Sequence, residues 1–233
     1  YFNLSILEYI CGNIFSSIEN IEKAKNINQE SKDIKLFHCI LKSKIEKKAN
    51  INKSSNQLRD KPIHYMKREV EKELIEYLYK IKTLDLNKYK DPSFGNARGS
   101  DYELFESNNY LSQKLEKDII KIAEEYSNSN IFIRDSFFTI LGDGGIIKKH
   151  NHIGSIDRLP GLYIGKQKFS LVYYVSVGDQ FCKNPGFLKF HEPDEEILPS
   201  NGMLIIFPAD RYHSVIYEGK EDRIIIGVNF YSF

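Results

Sequence analysis

The chain reads as α+β, with a helical region over residues 1–128 and an all-β region over 129–233. Two patterns and a size lead there. Up to about residue 128, apolar residues recur at three- and four-residue steps in a background rich in Lys, Glu, Ile, Leu and Asn. Beyond it the period falls to two, and short apolar runs alternate with Gly, Pro, Asn and Asp turns. At 233 residues, 41% hydrophobic and 28% charged, the chain can bury one good-sized core, or a main domain with a helical appendage.

In the first region, "PIHYMKREVEKELIEYLYKIKTL" (62–84) spaces Met66, Val70, Leu74, Leu78 and Ile81 as the apolar face of one helix opening on Pro62. Similar patterns predict helices over 4–24, 30–48 and 108–127, the last capped by Ser107 or Asn108. The lysine-rich runs are their solvated faces. The two short helices and turn near "KNINQESKD" leave room for a helical-repeat remnant, although no internal repeat stands out. Between the third and fourth helices, residues 86–107 form a long polar loop, either a surface excursion or a lid on the substrate side. Its Arg98, Asp101, Tyr102 and Glu103 offer charges of both signs, which suit an amino acid, a peptide or a polar metabolite alike.

In the second region, "IFIRDSFFTIL", "GIIKKHNH", "KFSLVYYVSV", "GFLKFH", "GMLIIFP", "HSVIYE" and "DRIIIGVNFYSF" are strand candidates with no helix between them. Such a run builds a sandwich, barrel or jelly roll.

The 33 basic and 32 acidic residues give a net charge of +1, which argues against a nucleic-acid footprint. No run of eighteen apolar residues exists to suit a membrane span, and the opening "YFNLSILEYICGNIF" lacks the basic leader of a signal peptide. Cys11, Cys39 and Cys182 are few and odd in number, which fits buried thiols in a reducing, cytoplasmic compartment. A chain that opens on Tyr1 reads as a fragment or a processed product.

The chemistry concentrates in "KKHNHIG" (148–154). On an extended segment His150 and His152 point to one side, so a short stretch can supply two metal ligands. His213 opens a strand more than sixty residues later, and three imidazoles in a β pocket would suit iron, zinc, copper or nickel. Ten residues further, Arg223 interrupts an apolar strand, a costly placement unless an anionic ligand meets it. Taken singly, each histidine is more often a surface or structural residue than a ligand. His38, His64 and His191 are read as structural, and Asn229 as facing either the pocket or a backbone group.

Taken in order, "SFFTILGDGGIIKKHNH", "SLVYYVSV", "GFLKFHEP", "PSNGMLIIFPADRYHSV" and "EDRIIIGVNF" resemble the iron(II)- and 2-oxoglutarate-dependent oxygenases. The closest likeness is to a branch that carries H-x-H and is often joined to tetratricopeptide repeats. The resemblance covers roughly the last hundred residues. It implies a double-stranded β-helix, a cupin-like jelly roll, with His150, His152 and His213 as iron ligands. Arg223 and Tyr174 become the contacts of the 2-oxoglutarate distal carboxylate, Tyr174 being otherwise a core aromatic. The implied cofactors are Fe(II), 2-oxoglutarate and O2. The implied reaction hydroxylates an unactivated C–H bond of an amino acid, peptide or small metabolite, with release of succinate and CO2.

One departure stands out. Most such oxygenases carry a carboxylate where this chain has His152, although the H-x-H branch has histidine there. Asp157 is an alternative carboxylate source, and a His150–His213 pair alone is another. A reading from a different class is a cupin-like metal-binding or ligand-sensing barrel without turnover. Arg223 with Tyr174 separates the two, because a simple metal barrel needs no carboxylate clamp. A helical scaffold with a decayed β domain is more distant.

Overall fold

The computed structural model of the protein describes residues 1–49, 63–89 and 91–233. The helices are α1 (Phe2–Ile10), α2 (Ile14–Ile27), α3 (Lys32–Ala49), α4 (Lys72–Lys80), α5 (Leu86–Tyr89) and α6 (Tyr110–Ser127). The strands before residue 129 are β1 (His64–Lys67), β2 (Leu84–Asp85) and β3 (Ala97–Gly99). Those after it are β4 (Ile131–Leu141), β5 (Gly145–His150), β6 (Lys168–Ser176), β7 (Leu188–His191), β8 (Glu195–Ile197), β9 (Met203–Pro208), β10 (Tyr212–Tyr217) and β11 (Arg223–Ser232).

Two antiparallel sheets result, one in the order β1-β9-β6-β11-β4-β3-β2 and one in the order β5-β10-β7-β8. Strict alternation assigns the two faces of the large sheet. Ile224, Ile226, Val228 and Phe230 of β11, with Phe169, Leu171 and Tyr173 of β6, turn outward under α4 and α6. There Leu78 and Ile119 are completely buried, each burial contributing about 1.5–3 kcal/mol. The intervening positions turn inward, and Tyr174, Ile205 and Phe207 meet Leu188, Phe190, Val215 and Tyr217 of the small sheet. A third cluster packs α1, α2 and α3 against Tyr231 at the end of β11.

Several expected elements differ. The helix expected over 62–84 is instead strand β1, then α4; Pro62 lies outside the described residues. Met66 and Val70 still pack on the outer cluster, so their burial was read correctly and their conformation was not. Pairing of His64–Lys67 with the exposed edge of β9 overrides the local period. The helix expected over 4–24 breaks into α1 and α2 at Gly12, whose φ of +86° is open to glycine. Buried Ser5 and Ser17 then tie the pair, each hydroxyl donating to the other residue's carbonyl at 2.6 and 2.7 Å. Asn109, not Ser107 or Asn108, caps α6 by accepting from the Leu111 N–H at 2.9 Å. Residues 86–107 are no structureless loop, since β3 pairs with β4 and Glu103 bridges Ser136. Cys11 is exposed, and Cys39 and Cys182 are half-buried, against the expectation of buried thiols. Among the described residues no helix is long and apolar enough to cross a membrane.

Candidate metal and carboxylate site

β5 and β10 run antiparallel with His150 directly opposite His213, and the register slips just beyond, between His213 and Val215. β-bulges of this kind re-aim side chains. His152 lies past the end of β5, where its N–H donates to the Ala209 carbonyl at 2.8 Å and holds the segment against the end of β9. The three rings converge, with centroids 4.3 to 5.1 Å apart, and one nitrogen from each lies within 4.8 Å of the others. Metal–imidazole bonds are about 2.1 Å, so small ring rotations would close this group on one ion.

The hydrogen bonds favour that use. His150 Nδ1 is 2.8 Å from the Lys148 carbonyl and His213 Nδ1 is 3.1 Å from the Arg211 carbonyl. A carbonyl only accepts, so both rings hold their proton on Nδ1 and carry the lone pair on Nε2. His152 Nδ1 faces the Asn229 amide nitrogen across 3.4 Å, and Asn229 Oδ1 accepts from the Ser170 hydroxyl at 2.8 Å. That amide nitrogen also donates to Asp135 Oδ2 at 3.3 Å, which fixes the amide's orientation and leaves His152 Nδ1 as the acceptor in the chain without metal. Burial, reinforced by the neighbouring imidazoles, pulls His152 down to about 2 and His213 down to about 3, so both stay neutral, the ligand form. Phe207 and Phe190 close the far side of His213.

Asp157 does not join this group. Its Oδ2 accepts from the Gly154 N–H at 2.7 Å and from Lys168 Nζ at 2.8 Å, and its Oδ1 accepts from the Tyr231 hydroxyl at 2.5 Å. The other histidines are engaged elsewhere: His38 pairs with Glu22, His64 lies tilted against Tyr126, and His191 meets the Ser214 hydroxyl.

Arg223 and Tyr174 meet in the inter-sheet interior, the guanidinium carbon 5.1 Å from the ring centroid. Arg223 is 2% exposed and makes no ion pair among the described residues; its Nε and the Tyr174 hydroxyl lack hydrogen-bond partners. Burial pushes the Tyr174 hydroxyl up to about 12 and draws the guanidinium down from its usual value. Gly186 makes room here, since a Cβ on it would stand 2.9 Å from Arg223 Cδ and Nε. A buried guanidinium facing a buried hydroxyl can receive a carboxylate, so the residues fit a 2-oxo dicarboxylic acid as they fit a metal.

A cavity of about 250 Å³ opens on the His152 side, lined by charged and aromatic residues that sequence reading passed over, among them Asp135, Lys168 and Tyr231. Tyr102, from the loop expected on the substrate side, lines it, whereas Arg98 is held by Asp222 at 2.9 Å.

No protein-family model matches the chain, and no curated protein matches it by sequence. Solved structures do. A 2OG-Fe(II) oxygenase family oxidoreductase from Burkholderia pseudomallei aligns at 13% identity and a TM-score of 0.53, over 75% of this chain and 86% of its own. HygX from Streptomyces hygroscopicus, with nickel and 2-oxoglutarate bound, aligns at 12% and 0.54, over 73% and 82%. A viral collagen prolyl hydroxylase from Paramecium Bursaria Chlorella virus-1, in its 2OG complex, aligns at 12% and 0.53, over 76% and 99%. At these identities the likeness is one of fold, and the fold is that of the 2OG-Fe(II) oxygenase structures.

Proposed function

We propose that the chain is an iron(II)- and 2-oxoglutarate-dependent dioxygenase on a double-stranded β-helix, hydroxylating a C–H bond of an amino acid, peptide or small metabolite. The observation that carries this reading is Arg223, a cation buried without an anion in the same inter-sheet core whose Phe190 and Phe207 pack on His213. A barrel that held only a metal would have no use for it.

When bound, iron(II), 2-oxoglutarate and O2 supply the oxidation, with succinate and CO2 released and a substrate C–H converted to C–OH. The chain's residues do the rest. His150, His152 and His213 hold the ion on one face. Arg223 and Tyr174 anchor the distal carboxylate, while Leu188, Phe190, Phe207 and Val215 keep water from the clamp and strengthen it. The cavity beside His152 receives the substrate. A reducing cytoplasm keeps the iron ferrous and the thiols free.

A cupin-like metal-binding or ligand-sensing barrel is the second reading, favoured by the absence of any carboxylate from the histidine group among the described residues. One titration separates the two. Iron(II) and then 2-oxoglutarate added anaerobically should produce a visible charge-transfer band that is lost in His213→Ala. Bound metal with no band on adding 2-oxoglutarate would favour the barrel.

A further inference from the structure

The cavity beside His152 is lined by Asp33, Asp135 and Asp157 against Arg134 and Lys168. Two of the acids are already matched, Lys168 to Asp157 at 2.8 Å and Arg134 to Asp33 at 2.9 Å. Asp135 has no cation among the described residues and accepts only the Asn229 amide, at 3.3 Å.

Its placement is built into the sheet. Along β4 and β11, Asn229 opposes Asp135 but Phe230 opposes Ile133, so Arg134 is an extra residue in β4. Neighbours on a regular strand face opposite ways, and this bulge is why Arg134 and Asp135 both reach one cavity. Tyr102 is fixed beside them. The Ser136 N–H donates to the Tyr102 carbonyl at 3.2 Å, and the Tyr102 ring packs edge-on against Phe137 at 5.2 Å.

A carboxylate with no cation of its own, next to an aromatic ring, recognises an ammonium or guanidinium. An anion would meet Asp135 and find both neighbouring cations engaged. We propose that this cavity takes its substrate by a cationic nitrogen, an ammonium or a guanidinium, seated on Asp135 and covered by the ring of Tyr102. The inference rests on the oxygenase reading only for what happens next. Asn229 spans the gap, its amide nitrogen 3.3 Å from Asp135 and 3.4 Å from His152, so C–H bonds a few atoms from the cation face the histidines.

The test uses the whole chain without metal, in saturation-transfer NMR titrations with n-pentylamine, n-butylguanidine, 1-pentanol and pentanoate. The two cations should bind, the alcohol and the acid at least about tenfold more weakly. Asp135→Asn, close in shape, should weaken the cations by about tenfold or more, and Tyr102→Leu should weaken them several-fold. Equal binding of amine and alcohol, or cation binding untouched in Asp135→Asn, would overturn the proposal. If Asp135→Asn does not fold, the wild-type amine-to-alcohol ratio and Tyr102→Leu decide it. Nα-acetyl-lysine N-methylamide binding as well as pentylamine would identify the source as a peptide side chain; much weaker binding would identify a free amine. Both uphold the cation. Loading with Mn(II) keeps the two readings apart. Asp135-dependent binding with no paramagnetic broadening of the amine's CH2 signals would uphold the cation site and count against the metal centre. Broadening that ignores Asp135 would do the reverse.

Discussion

Arg223 and Lys168 are both buried cations, 2% and 5% exposed, on inward-facing strand positions of one sheet. Lys168 has the Asp157 carboxylate at 2.8 Å, and that carboxylate also takes the Gly154 N–H and the Tyr231 hydroxyl. Arg223 has a tyrosine ring and an orphan hydroxyl, and no carboxylate among the described residues. A paired buried charge is a closed unit that holds a loop in place, here residues 153–157 next to His152. An unpaired one costs stability and persists where something outside the fold completes it. On the function proposed above, the difference is one of scaffold against receptor.

Substitution should break this symmetry in opposite directions. Lys168→Met leaves the Asp157 carboxylate buried without its cation, and should lower stability by about 3–5 kcal/mol in a denaturant titration. A second change, Asp157→Leu, should restore much of that loss, because it is the orphaned charge and not the missing bond that costs most. A Lys168→Met effect below about 1 kcal/mol would remove the distinction between the two cations.

Arg223→Leu should act the other way on the chain without ligands. Removing an unpaired buried cation should raise stability by roughly 1–3 kcal/mol, while 2-oxoglutarate affinity falls by about a hundredfold. Calorimetric titration of metal and of 2-oxoglutarate tests this, since metal affinity should stay nearly intact. Equal loss of both would mean that Arg223 supports the fold and not the ligand.

The same contrast explains what could be read in advance. The inward positions of β6 and β11 alternate cleanly, so Tyr174 and Arg223 could be placed on one face from sequence, and a bulge beside Tyr174, between Ile224 and Ile225 of β11, leaves that face intact. His150 and His213 are joined by a register that their spacing and strand context anticipate. Asp135 was invisible because its direction depends on an extra residue in β4, and a bulge leaves no mark in the period of one strand. Lys168 and Tyr231 lay near the ends of strand candidates, and their partner Asp157 was read as an alternative carboxylate for the metal. Strand β1 was read as helix because its partner, β9, lies far along the chain, where no local window reaches. The break at Gly12 went unread and the cap at Asn109 was placed a residue or two early, because both turn on single backbone angles.

The histidines give the smallest of these effects per step, read by titrating the protein without metal. His213 is drawn down to about 3 and His152 to about 2, chiefly by burial, while in the unfolded chain each returns to about 6.5. Below pH 6.5 the unfolded state therefore takes up protons that the folded state refuses. Stability is complete above that pH and falls as acid is added, by up to about 1.4 kcal/mol per pH unit for each ring, until the folded pKa values are reached. Unfolding of the chelator-treated protein between pH 7 and pH 5 should show this slope, and His213→Asn should remove about half of it. Bound metal would steepen it further, because metal and proton compete for the same nitrogen lone pairs. A flat profile would mean that the rings are hydrated when the metal is absent, and that the ion itself draws them together.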